Sequence, residues 1–118
     1  MFVLDDKNIT YWYPVTVEMT ASDGARKQRF SFDAEFERIP QDEINEMFRK
    51  RGEDETPLRD AEVLERVLRG WRGIQEVDGT ELAVNPENRA RLLNQFPVPG
   101  SIVKAFLKSI GVEGQRKN

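Results

Sequence analysis

The chain contains no cysteine and no histidine. Those absences exclude thiol nucleophiles, disulfides, thiolate- or imidazole-held metals, and acid–base chemistry that runs on imidazole. A long hydrophobic run is also missing. Met1 to Leu4 is apolar, but Asp5 and Asp6 follow at once, too soon for the core of a signal peptide. No stretch approaches the length of a membrane helix, so no membrane partner is expected. An excess of positive charge is lacking too: 18 basic against 21 acidic residues give a formal net charge of −3. A duplex-binding domain carries the opposite balance, because neutralising phosphates releases counterions. Of two basic clusters, Arg49-Lys50-Arg51 closes a predicted helix, where cations complement the dipole, and Arg116-Lys117 reads as a charged tail. The expectation is a protein of a cytoplasm that binds no nucleic acid.

What is present suffices for one packed domain. A chain of 118 residues buries roughly 65% of the surface its unfolded form exposes, and needs no metal or disulfide to hold a core. Seven Phe, two Tyr and two Trp supply bulky groups for that interior. From Tyr11 to Met19 the pattern alternates, with Tyr11, Tyr13, Val15, Val17 and Met19 on one face and Trp12, Pro14, Thr16 and Glu18 on the other. That period of two predicts a half-buried strand, and Pro14 confines it to an edge, a bulge or a strand opening. Ser22-Asp23-Gly24 supplies a turn, and Phe30, Phe32, Ala34 and Phe36 then alternate with polar residues in a second strand. A hairpin alone is marginal in water and needs a cover.

That cover reads as helical. The segment Ile39-Pro40-Gln41-Asp42-Glu43 opens a helix to about Arg51, striped by Ile44, Met47 and Phe48 and stopped by Gly52. Thr56 with Pro57 predicts a second helix start, followed by the stripe Leu58, Ala61, Leu64, Val67, Leu68 and Trp71, with Val63 at its margin. Asp78-Gly79 marks a tight turn in a short irregular hairpin or extended loop through Leu82 and Val84. Asn85 caps a third helix opened by Pro86 and lined by Leu92, Leu93 and Phe96. Ser101 is expected to cap a fourth helix that buries Ile102, Val103, Phe106, Leu107 and Ile110 and ends at Gly111. The expected architecture is a single α+β domain over residues 1–118, with an amino-terminal β-hairpin region (1–38) packed against about four short helices in a mainly helical remainder (39–118).

Few constellations carry chemistry. Glu53-Asp54-Glu55 lacks the alternating spacing of a calcium loop and reads as a solvated connection, as does Asp5-Asp6. Gly70 and Gly73 are not followed by the Lys-Ser/Thr pair of a phosphate loop. Of a would-be DNA-reading last helix, only Lys104 and Lys108 are basic. No catalytic residue, metal site or cofactor is expected. Two features point instead to protein contact. Tyr11-Trp12-Tyr13 forces Trp12 away from its neighbours in a strand, where it either lies under the amino-terminal segment or contacts another protein, as Trp is a favoured interface anchor. The last helix is very apolar for its length, and either tucks that surface into the chain's own core or shares it with a neighbouring subunit. Trp12, Phe106 and Ile110 are therefore the candidate protein-binding residues.

From Gly70 onward the signals fall in a particular order: Gly70-Trp71-Arg72-Gly73-Ile74, Asp78-Gly79-Thr80-Glu81-Leu82, Asn85-Pro86-Glu87-Asn88, Leu92-Leu93, Phe96-Pro97, and Ile102-Val103-Lys104-Ala105-Phe106. This order resembles the tail assembly chaperones of long-tailed bacteriophages and prophages. Ala83-Val84-Asn85 departs from it, because many members carry an aromatic and then Ser or Thr there. The resemblance implies a non-enzymatic protein of the host bacterial cytoplasm that binds the phage tape measure protein and keeps it soluble during tube assembly. It also implies a homo-oligomer, a frameshifted longer form of the same chain as a further partner, and absence from the mature virion. The alternative is a structural virion component, such as a tail or head–tail connector subunit, with the hairpin as an assembly arm.

Overall fold

Two long strands and a short third one form the sheet on which everything else packs. A computed structural model of the chain describes residues 1–5, 7, 9–53 and 59–111. Strands β1 (Thr10–Thr20) and β2 (Lys27–Glu37) pair antiparallel in the expected hairpin, with Val15 opposite Phe32 and Tyr13 opposite Ala34. The turn between them closes through Ala21 N–H donating to the Arg26 carbonyl at 2.7 Å, while Asp23 Oδ1 accepts from Ala25 N–H. Helix α1 (Gln41–Glu53) follows, then α2 (Asp60–Val67), β3 (Leu68–Arg72), α3 (Pro86–Leu93) and α4 (Val98–Ser109). The sheet order is β1-β2-β3, antiparallel throughout, with a register irregularity at Glu35/Phe36. This is an α+β fold, with three strands and four helices among the described residues.

One face of the sheet makes the core. Val15, Val17, Phe32, Ala34 and Phe36 from the hairpin meet Val63, Leu64 and Val67 of α2 and Ile102, Val103 and Phe106 of α4. Phe36 and Phe106 touch edge-to-face, with ring centroids 5.4 Å apart. Met47 is the member of the α1 stripe that is buried, while Ile44 and Phe48 are half-buried.

Four boundaries differ from expectation. Leu68 to Trp71 were expected to continue the second helix but form β3, because the free side of β2 offers a ladder and the inner face still buries Leu68 and Trp71. The helix before it starts at Asp60, where the Glu62 carboxylate reaches back to accept from Arg59 N–H at 2.9 Å. Val63, expected at its margin, is 1% exposed. Helix α4 starts at Val98, three residues before the expected cap. Pro99 falls in its first turn, where no N–H is needed, and Ser101 lies inside, its hydroxyl donating to the Pro97 carbonyl at 3.0 Å. Helix α1 passes through Gly52 to Glu53. The expected Thr56-Pro57 start with Leu58, the acids Asp54 and Glu55, Asp6 and the Arg116-Lys117 tail lie outside the described residues, as do the side chains of Arg49-Lys50-Arg51.

The expected Asp78-Gly79 turn, Asn85 cap and Gly111 stop are present. Leu82 N–H donates to the Ile74 carbonyl at 2.8 Å around the Asp78-Gly79 turn, with Gly79 at φ 92°. Asn85 caps α3, its Oδ1 accepting from Asn88 N–H at 2.7 Å. Gly111 ends α4 with φ 84° and donates to the Lys108 carbonyl, a left-handed closure that glycine adopts without steric cost.

Candidate protein-binding surface

The sheet has a second face, and among the described residues no helix covers it. Because side chains alternate along a strand, Trp12, Pro14, Thr16 and Glu18 project there from β1, and Ser31, Asp33 and Glu35 from β2. Arg72 and Gly70 join them from β3, opposite Asp33 and Glu35. Two ion pairs order this face: Arg72 Nε donates to Asp33 Oδ2 at 3.0 Å, and Arg29 to Glu18 Oε2 at 2.8 Å. Arg29 holds the Glu18 carboxyl below its usual range by hydrogen bond and charge. Arg72 also places its guanidinium 4.1 Å from the centroid of the Trp12 ring. A cation held over an indole is worth about 0.5–1 kcal/mol at an exposed site. It also fixes the ring in one orientation, so less freedom is lost when a partner docks. Val84 adds apolar surface at the margin, where Gly70 leaves room: a Cβ there would meet the Val84 methyls at 3.7 Å.

The three expected contact residues do not share one patch. Trp12 is 40% exposed on the uncovered face. Phe106 lies on the opposite side of the sheet, 1% exposed against Phe36, so it is an interior residue. Ile110 is half-buried at the end of α4, beside a hollow of about 270 Å³ lined by Tyr11, Arg38, Ile39 and Ile44 among others. Its wall is built by the Tyr11 hydroxyl against Ser109 Oγ at 2.7 Å and by the Arg38 guanidinium 4.8 Å from the Tyr11 ring. Burial raises the Tyr11 pKa.

Other exposed apolar residues escaped the reading of the sequence. Phe30 sits in register with core positions yet is 50% exposed, because β3 pairs only with Asp33 to Phe36 and leaves the far end of the hairpin uncovered. The shortness of β3 is a tertiary fact that alternation does not encode. Phe96 was expected to line the third helix. It lies instead in the connection between α3 and α4 and is 87% exposed. Met1 to Leu4 and Val77 are exposed as well.

Among the described residues, no group of three or more acidic side chains is placed to hold a metal ion. No described helix is long and apolar enough to cross a membrane. No family model, curated protein or solved structure matches the chain.

Proposed function

We propose that the protein is a tail assembly chaperone of a long-tailed phage or prophage. In this reading it catalyses nothing, works in the host bacterial cytoplasm, binds the tape measure protein and keeps it soluble while tube protein polymerises around it. The finished virion then lacks it. The observation that carries the reading is Trp12, exposed on an uncovered sheet face and stacked under Arg72. Trp and Arg are the side chains that most often dominate binding energy at protein interfaces. The ordered signals from Gly70 to Phe106 support the same reading from the sequence. A negative net charge on the body disfavours non-specific capture of nucleic acid while apolar side chains are displayed.

Co-expression with the tape measure protein encoded nearby tests this. The expected result is that the client, insoluble alone, becomes soluble and co-purifies, and that Trp12→Ala lowers the co-purified fraction while the variant keeps its fold. Unchanged client solubility with no complex would sink the proposal. A virion-component reading is favoured by one observation, the end of the hairpin that outruns β3 and exposes Phe30. Detection of the chain in purified particles would decide for it.

A further inference from the structure

Among the described residues β1 pairs on one side only, and its other edge forms a groove of about 430 Å³ against α4. Tyr13, Pro14 and Thr16 line one wall, and Ser101, Lys104 and Lys108 line the other. Those helical residues recur at i, i+3 and i+7, which is one face of α4. An open strand edge takes an extended peptide as an added strand, with main-chain hydrogen bonds for affinity and alternate side chains for specificity.

The register shows which backbone groups such a peptide would meet. Ala21 N–H donates to the Arg26 carbonyl, and Arg38 N–H donates to the Ile9 carbonyl. Odd-numbered residues of β1 therefore bond to β2, and the even-numbered ones turn N–H and carbonyl outward. The N–H groups of Trp12, Thr16 and Glu18, and the carbonyls of these three and of Pro14, have no hydrogen-bond partner among the described residues. Pro14 lacks an N–H and occupies an outward position, so it leaves the ladder to β2 whole. Beyond it, Thr16 and Glu18 offer donors and acceptors in unbroken alternation.

The charged side chains that line the groove are Glu18, Arg29, Lys104 and Lys108. Arg29 holds Glu18 in an ion pair at 2.8 Å, whereas both lysines are exposed and form no ion pair among the described residues. The pair neutralises itself and the lysines leave the groove positive, on a chain whose net charge is −3. Lys104 and Lys108 stand about 6 Å apart along the helix axis, close to the roughly 6.6 Å between same-face residues of a strand. Acids at alternate positions of an added strand match that spacing. A phosphate backbone brings acceptors but no donors for the edge carbonyls, so a peptide suits this edge better than a nucleic acid. We propose that the groove binds an acidic, extended segment of another protein, which adds as a strand to β1 with alternate carboxylates on Lys104 and Lys108. The proposal goes beyond the chaperone reading and holds whether or not that protein is a tape measure protein.

Fluorescence anisotropy of the full chain tests it, with an octapeptide of alternating Glu and Thr labelled at its amino end and amidated at the other. The expected result is saturable binding that weakens at least tenfold when Lys replaces Glu in the peptide. The double variant Lys104→Glu/Lys108→Glu, altered only at exposed positions, should lose at least as much. Thr16→Pro removes one outward N–H, as Pro14 does, and should weaken binding while the hairpin survives. N-methylation of the peptide amides on its β1-facing edge should abolish binding with every charge in place. At saturation the amides of Thr16 and Glu18 should gain protection from hydrogen exchange, while those of Val15 and Val17, already in the ladder, should not change. No binding, binding indifferent to the lysines or to N-methylation, or equal affinity for an oligothymidylate would each overturn the proposal. The peptide stands in for no particular client, so this failure and a failed co-expression are separate results.

Discussion

Trp12 and Phe106 are both large aromatics, both candidates for a contact surface, and the fold treats them in opposite ways. Phe106 packs edge-to-face on Phe36 and is 1% exposed, so Phe106→Ala removes a buried ring and leaves a cavity. Such truncations cost about 3–5 kcal/mol, and a denaturant midpoint should fall accordingly. Trp12→Ala removes an exposed ring stacked on Arg72 and should cost about 0.5–1 kcal/mol. A client-binding loss in Trp12→Ala therefore reports on the surface, and the same loss in Phe106→Ala reports on folding. If Phe106→Ala proves as stable as Trp12→Ala, the assignment of one to the core and the other to the surface is wrong. The alternation around Trp12 was enough to place it on the outer face. The apolar stripe of the last helix could not reveal whether its partner was the chain's own sheet or another protein, because burial in either produces the same spacing.

At the scale of elements, α2 and β3 are the instructive pair. Leu64, Val67, Leu68 and Trp71 satisfy a helical period, and the same residues also satisfy a switch to strand at Leu68, since both keep apolar groups inward. Local pattern cannot separate these outcomes, and the unpaired side of β2 decides between them. The two strands of the hairpin and the Asn85 cap were legible because each rests on residues close in sequence. Trp71 seals the switch, its indole N–H donating to the Leu82 carbonyl at 3.0 Å. Arg89 of α3 secures it from the other side, with two guanidinium nitrogens 2.8 Å from the carbonyls of Leu64 and Leu68. Burial lowers the Arg89 pKa. Arg89→Met keeps the aliphatic stem and removes both donors, so unfolding should become easier by about 3 kcal/mol, the lower end for two hydrogen bonds of about 1.5–3 kcal/mol each, because the guanidinium is only partly buried. A change below about 0.5 kcal/mol, the scatter of neutral surface substitutions, would mean that α3 does not hold the end of α2.

Across the whole molecule, one ion network joins α1, α2, β2 and β3. Arg66 of α2 donates to both oxygens of Glu43 in α1 and lies 3.1 Å from Glu37 of β2, which also accepts from Arg69 of β3 at 2.7 Å. Hydrogen bonds from Arg69 and then Arg66 hold the Glu37 carboxyl below the ordinary 4.5, and the Arg66 bond does the same for Glu43, while Arg66 itself is raised. In the interval between the depressed and the ordinary value, the unfolded chain binds more protons than the folded one, so stability rises with pH there. The contribution is complete above the ordinary value and is lost as pH falls through the folded one. Glu18, Glu76, Asp23 and Asp78 are depressed in the same direction and add to the slope. The urea midpoint should therefore hold steady near neutrality and fall below about pH 4.5, less steeply at high salt, since these side chains remain partly solvated. Arg66→Leu should flatten that fall without abolishing it, because only Glu37 and Glu43 lose a partner. If Arg66→Leu kept the full wild-type slope, the acid sensitivity would belong to the hairpin and loop carboxylates alone, and the network would be an arrangement of surface charges rather than the tie between α1 and the sheet.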